Sequence, residues 1–295
     1  MESTSLPKGP IMIVITGATG TLNGAAVAHL LKRVPVSQIG VSARNPQRAE
    51  HLADQGIRVR QGSYDDPAAL RESFAGADQV LLVSSNDLTA DVAAQHRQAI
   101  DAAVDAGARH ILYTSQHAVG PDSPYLPQTI HAATEDHLAA SGIAWTALRH
   151  GFYGTIGDLI GPWQTTGTIA RPADGPFFWV DRRDAGEATA EILARGAAYN
   201  GPVDLTATAP VTLADFASAA SELSGRDIDR IVVDDEQWVA DEVAGGVPEP
   251  AARFTLSMFQ ALRTGRFSRS HSKLTELLGR EPRSLTEQLA EEIFA

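Results

Sequence analysis

An apolar run, Ile11–Thr16 (IMIVIT), passes without a spacer into Gly17-Ala18-Thr19-Gly20-Thr21-Leu22-Asn23-Gly24. Such a run reads as a strand buried on both faces. Leu22, Val27, Leu30 and Leu31 then follow at helical spacing. A strand that feeds a helix so abruptly needs glycine at the junction. The first glycine permits the tight turn, and the second lets the backbone approach a pyrophosphate. The helix start offers free N–H groups and partial positive charge to phosphates. The hydroxyls of Thr19 and Thr21 add further donors. The junction therefore predicts a dinucleotide site at Gly17, Thr19, Gly20 and Thr21.

The beat continues downstream. Strands are expected at Ile39–Ala43, Ile57–Gln61, Asp78–Ser84, His110–Thr114 and Ile143–Arg149, with helices at 45–55, 66–74, 87–106 and 130–140 between them. Asp66 is the expected N-cap of its helix, with Pro67 at the first helical position. Alternation of this kind predicts an α/β fold, a doubly wound parallel (Rossmann-type) sheet over residues 11–150. Residues 1–10 read as a flexible lead. After residue 150 the beat breaks. Residues 151–295 are expected to form a smaller α/β substrate domain over the carboxyl edge of the sheet, with the strand and helix around 177–195 free to return to the first domain. Strands are expected there at 202–206 and 228–233. A helix at 212–224 is capped by Thr212, with Asp215 in its first turn. The run Phe177-Phe178-Trp179 is read as core first and cleft wall second. Asp234-Asp235-Glu236 and Glu291-Glu292 are read as solvated helix ends.

Cofactor preference turns on the end of the second strand. NAD sites place Asp or Glu about 20 residues on, to hold the ribose hydroxyls. This chain has Ser42-Ala43-Arg44-Asn45-Pro46 instead. Arg44 can accept a 2′-phosphate through paired, charge-assisted bonds, with Arg48 one turn on to assist. NADP(H) is the cofactor expected.

Composition removes whole classes. The net charge is -12, from 24 basic and 36 acidic residues, so nucleic acid is not an expected partner. With no cysteine, disulfides, thiolate nucleophiles and iron–sulfur clusters are excluded. No stretch reaches the ~18 apolar residues of a membrane span, and the polar start does not read as a secretory signal. A cytoplasmic protein without a membrane partner is expected; a homodimer is left open. His131 and His137 lie six apart and share no helix face, and no HExxH pair exists. No metal site is expected.

These segments resemble the NmrA-like group of atypical short-chain dehydrogenases, and within it the bacterial NAD(P)H:quinone oxidoreductases. The likeness is carried by ITGATGTL, SARNP, IRVRQGSYDDPAAL, LLVSSN, QHRQAIDAAVDAGARHILYTS, TEDHLAASGIAWTALRHGFY and RRDAGEA, and spans almost the whole chain. The resemblance implies that Gly17, Thr19, Gly20, Thr21 and Leu22 form the phosphate loop and that Arg44 meets the 2′-phosphate. It sets Ser84, Ser85 and Ser115 beside the cofactor, Ser115 near the nicotinamide, and His150 to Tyr153 at the mouth of the substrate cleft. Two positions depart from the group. Asn23 stands at the third place of Gly-x-x-Gly-x-x-Gly; it is counted with the cofactor-binding residues, and its bulk predicts a slightly displaced helix. Thr134-Glu135-Asp136 replaces the Thr-Glu-Lys of the quinone reductases.

Ordinary short-chain dehydrogenases pair a catalytic tyrosine with lysine four residues on. The only lysines here are Lys8, Lys32 and Lys273, and none follows a tyrosine at that spacing. Hydride transfer to a quinone needs mainly positioning and a donor to the developing oxyanion. The candidate catalytic residues are His150, Tyr153, Ser115 and His117, with histidine able to supply a proton near neutral pH. The expected function is an NADPH-dependent oxidoreductase acting on a small-molecule quinone or related conjugated carbonyl substrate. The alternatives are a non-catalytic NADP-binding redox sensor and a biosynthetic reductase or epimerase.

Overall fold

The computed structural model describes residues 11–87, 89–196 and 198–294; the expected lead at 1–10 lies outside them. Seven strands form one sheet: β1 (Ile13–Thr16), β2 (Ile39–Ala43), β3 (Arg58–Gln61), β4 (Gln79–Leu82), β5 (His110–Gln116), β6 (Ala144–His150) and β8 (Gly201–Leu205). Their order is β3-β2-β1-β4-β5-β6-β8, and every pairing is parallel. The order reverses between β1 and β4, which opens the crevice where such sheets take ligands. Two further strands, β7 (Thr168–Arg171) and β9 (Asp229–Val232), pair in parallel as a separate small sheet.

The central strands β1 and β4 are buried at every residue because both faces of the sheet are covered. Side chains alternate between faces. Ile13 and Ile15 pack with Val27, Leu30 and Leu193 on one side. Val14 packs with Leu70, Phe74 and Ile100 on the other. The first side carries helices Thr21–Leu30, Arg182–Ala194 and Leu274–Leu278; the second carries Pro67–Phe74, Val92–Asp105 and Leu126–Ala140. A second core, built on Ile160, Trp163, Phe216, Trp238 and Phe259, fills the remaining part of the chain. Residues beyond 150 thus serve both cores. The end of β6 is not the end of the sheet layer, since β8 and the helices Arg182–Ala194 and Leu274–Leu278 belong to it.

Some local expectations shift. The helix expected from Asp87 begins at Val92, because Asp91 accepts from the Ala94 amide at 2.9 Å and caps it. Asp87 instead binds the amide and hydroxyl of Thr89 within the preceding loop. The helix expected over 45–55 is a 3-10 turn at Pro46–Ala49 followed by Glu50–Ala53, and the one expected at 130 starts at Leu126. Asp66 does cap its helix, with its carboxylate 3.0 Å from the Ala69 amide. Thr212 and Asp215 form a reciprocal capping box. β7 falls in a stretch read as irregular.

The tightest packing joins the helix Thr21–Leu30 to Arg182–Ala194. A Cβ on Gly186 would lie 2.7 Å from the Leu22 carbonyl oxygen and 2.9 Å from the Ala26 nitrogen, both backbone atoms. Only glycine permits that approach. Gly186→Val should therefore cost about 1–3 kcal/mol, read as a lowered urea midpoint. Unchanged stability would mean the helices can separate freely.

Candidate functional site

β1 hands over to its helix at Gly17, whose φ is +65°. A side chain there is strained by conformation, and its Cβ would fall 2.6 Å from Val83 Cγ1 at the end of β4. The turn closes through the Gly20 amide on the Gly17 carbonyl at 3.0 Å. Gly20 is the N-cap of Thr21–Leu30, and no side chain caps that helix. Its first-turn N–H groups face outward without a protein acceptor, which suits an anion.

The third-glycine departure has a specific outcome. Asn23 is 1% exposed, and its side-chain amide donates to the Thr16 carbonyl at 2.8 Å. Asn23 is thus turned into the strand–helix junction, away from the cleft. The close helix contact that glycine would allow at that place is made by Gly186 on the neighbouring helix. The bulk of Asn23 is absorbed as a hydrogen bond.

A cleft of about 650 Å³ opens at the reversal of strand order. It is lined by Gly17, Thr19, Arg44, Arg48, Ser84 and Ser85, among others. Thr21 is exposed beside it, whereas Leu22 is buried. Arg44 follows directly on β2, exposed and without an ion-pair partner among the described residues. The two acids in the cleft are engaged: Asp65 takes the Gln95 amide at 2.8 Å, and Asp87 takes Thr89. Tyr64, not singled out in the sequence, ties the edge together. Its hydroxyl donates to the Val83 carbonyl at 2.7 Å and accepts from Thr16 Oγ1 at 2.8 Å. This donor set fits a phosphorylated dinucleotide: a glycine cradle that a Cβ would fill, an uncapped helix start, and free guanidinium groups across from it.

The four candidate catalytic residues part company. Ser115 is 4% exposed and donates to Glu135 Oε1 at 2.6 Å. Glu135 is held by Arg149 through Nε at 3.0 Å and Nη2 at 2.5 Å. Arg149, missed in the sequence, is thus the cation of this corner, while Asp136 points to solvent. His117 lies against Phe178 edge to face and gives its Nε2 proton to the Arg269 carbonyl at 2.9 Å. Burial lowers its pKa. His150 is 1% exposed with both ring nitrogens unpartnered. Burial pushes its imidazole down to about 4, so it is neutral at physiological pH and carries no spare proton, contrary to the expectation of histidine as acid. None of these three lines either cavity.

Tyr153 does. It borders a second cavity of about 480 Å³, walled by Tyr125, Phe152, Phe177, Trp179, Trp238 and Phe259 with Arg171 and Arg182 among the aromatic rings. The segment is fixed by the Phe152 amide on the Phe178 carbonyl at 2.7 Å and the Val180 amide on the Phe152 carbonyl at 2.8 Å. The aromatic run 177–179 therefore serves as both core and wall. His150 sits edge on to Tyr153, 6.1 Å between centroids. Among the described residues no group of three His, Asp or Glu could hold a metal ion, and no helix is long and apolar enough to cross a membrane.

A doubly wound sheet with a glycine turn at its switch point defines a Rossmann-type protein. The chain belongs to the NmrA-like family, whose model matches residues 11–289. It is 33% identical over 283 residues to quinone oxidoreductase 2 of Escherichia coli strain K12, covering 95% of this chain and 98% of that protein. The structure of a Citrobacter triphenylmethane reductase complexed with NADP(H) matches with a TM-score of 0.86 and 33% identity, over 95% and 99% of the two chains. An Escherichia coli NADPH-dependent quinone oxidoreductase complexed with NADPH matches with a TM-score of 0.87 and 31% identity, over 96% and 100%.

Buried histidines make the fold acid-sensitive. His96, His110 and His150 are pushed down to about 4 and His131 to about 3, all chiefly by burial. In the unfolded chain imidazole titrates near ~6.5. Below that pH the unfolded chain binds protons the folded one refuses, so stability falls as pH drops towards 4, by about 1.4 kcal/mol per unit for each such histidine. Urea midpoints at pH 7.5 and pH 5 should differ sharply; matching midpoints would contradict neutral, buried rings.

Proposed function

We propose that this chain is an NADPH-dependent oxidoreductase that reduces a quinone or related conjugated carbonyl. The observation that carries it is the cleft at the strand reversal, with the Gly17 turn and uncapped helix start on one wall and Arg44 on the other. The relatives named for quinone reduction with NADPH support the same reading.

Gly17, Thr19, Gly20 and Thr21 bind the pyrophosphate through backbone N–H groups and hydroxyls. Arg44, aided by Arg48, holds the 2′-phosphate by charge-assisted bonds that NADH has no group to accept. Ser84 and Ser85 line the path towards β5. The amide of Ser85 is held by His96 Nε2 at 2.8 Å, and the amide of Ser84 by Thr114 Oγ1 at 2.7 Å, which fixes the loop. When bound, the reduced nicotinamide supplies hydride. The acceptor occupies the aromatic cavity beside Tyr153, where Phe152, Phe177 and Trp179 hold a planar ring and exclude water. Tyr153 presents the hydrogen-bond donor to the acceptor oxygen. Ser115, His117 and His150 support this corner: Ser115 by fixing Glu135, and the two imidazoles as neutral, buried packing.

Two measurements test the reading. Purified protein should oxidise NADPH when offered small benzoquinones; NADPH binding without turnover on a broad acceptor panel would favour the redox-sensor alternative. Arg44→Ala should weaken NADPH by about ten- to a hundredfold, the worth of hydrogen bonds to a charged group, with NADH little affected. Equal weakening of both cofactors would remove Arg44 from the 2′-phosphate.

A further inference from the structure

The doublet Arg182-Arg183 opens the helix Arg182–Ala194. Its two members have different fates. Arg183 is fully engaged: it binds Asp181 through Nε and Nη2 and Glu291 through Nη2. Arg182 has no ion-pair or hydrogen-bond partner of its side chain among the described residues. Its guanidinium instead lies over the Tyr153 ring, 5.6 Å from the centroid. Arg182 and Tyr153 both line the aromatic cavity.

The location of Arg182 is costly on grounds of stability. A cation in the first turn of a helix faces the positive end of the macrodipole, where acids are favoured. The neighbouring carboxylate, Asp181, is spent on Arg183. An unpaired guanidinium at that end, against an aromatic face and at the rim of a cavity, has a use other than holding the fold.

We infer that Arg182 is the positioning cation for Tyr153 and that Tyr153 is the proton donor of the reaction, so that the pair replaces the tyrosine and lysine this chain lacks. The inference rests on the reductase reading. As the acceptor takes hydride from the nicotinamide, its carbonyl oxygen takes the proton of the Tyr153 hydroxyl. The O–H bond breaks, a new O–H bond forms on the acceptor, and the charge left on the phenolate is balanced by Arg182. Once the product has left, water entering the vacated cavity returns the proton. Tyr153 is 38% exposed and can be reprotonated directly.

The groups around the phenol fit. Desolvation of the ring by the aromatic wall raises the Tyr153 pKa although part of the side chain reaches solvent, and Arg182 opposes that rise. His150 lies edge on to the ring and is kept neutral by burial, and Tyr125 and Tyr113, which also interact with Tyr153, are both pushed up chiefly by burial. Across the cavity Arg171 stands 3.6 Å from Glu242, so these charges largely offset each other. Asp158 is on the exposed rim. Arg182 is the one cation placed directly on the phenol ring among the described residues.

The test follows the phenol itself and then turnover, in the full chain. With tyrosine ring carbons labelled and Tyr153→Phe used for assignment, the Tyr153 ionisation is read by NMR in wild type, Arg182→Gln and Arg182→Lys. Arg182→Gln should raise that ionisation by about one pH unit, the low end of the effect of a neighbouring charge; Arg182→Lys should restore most of it. With NADPH and a benzoquinone, the alkaline limb of the kcat profile should move in the same direction and by the same amount. Loss of a general acid costs about 10²- to 10⁴-fold, so Tyr153→Phe should lower kcat at least tenfold while the KM for NADPH holds. An unmoved Tyr153 ionisation in Arg182→Gln overturns the role of Arg182. A wild-type chain that turns over while Tyr153→Phe keeps its kcat overturns Tyr153 as donor. A wild-type chain that reduces no acceptor overturns the reductase reading instead.

Discussion

The turn at Gly17 is forced from two sides. The backbone must reverse within a residue or two of a fully buried strand, and Val83 on the adjacent strand leaves no space for a side chain. The left-handed conformation of Gly17 meets both demands. It also aims the start of Thr21–Leu30 at the gap between β1 and β4, the one boundary where successive crossovers leave on opposite faces of the sheet. Asn23 then locks the angle by holding the last carbonyl of β1. From that lock the helix reaches Gly186 and, through it, the layer that carries β8 and the carboxyl-terminal segments.

Those later segments are tied down by charge as well as by packing. Asp184 is fully buried and receives Arg280 at 2.8 Å and both the amide and guanidinium of Arg283. Glu187 on the next turn receives Arg280 at 2.7 Å. A buried carboxylate with several donors is tolerable only while all of them stay in place. Residues 280–283 are therefore held to the helix that Gly186 brings against the cofactor turn. Glu292, beyond them, caps the amide of Ile156 at 2.8 Å near the aromatic cavity. The helix Leu285–Phe294 in this way helps to hold the segment that borders the aromatic cavity.

Elements covered on both faces were legible because burial writes itself as an unbroken apolar run, as in IVIT at β1. The turn at Gly17 was legible because glycine spacing reports backbone conformation directly. Capping at Asp66 and Thr212 was legible for the same local reason. What escaped was every choice among partners that tertiary structure makes. Asp87 and Asp91 are equally good caps in sequence, and the fold selects the second. The direction of the Asn23 amide and the division of labour between Arg182 and Arg183 depend on atoms brought from distant segments. β7 was missed because its only partner is β9, and short strands of four residues carry little signal alone. That Tyr153 borders a cavity while His150 is buried also escaped: a strand's carboxyl end can open on a cleft or close against a core, and periodicity does not say which.

The two cavities share no lining residue. One is lined from Thr16 to Gln95, the other from Tyr125 to Leu262. Under the proposed assignment, the nucleotide side and the acceptor side are encoded in separate, non-overlapping stretches of the gene. Substitutions that reshape the aromatic cavity leave the Gly17 turn, Arg44 and Arg48 in place. A change confined to residues 125–262 can therefore alter one cavity while the other keeps every one of its lining side chains.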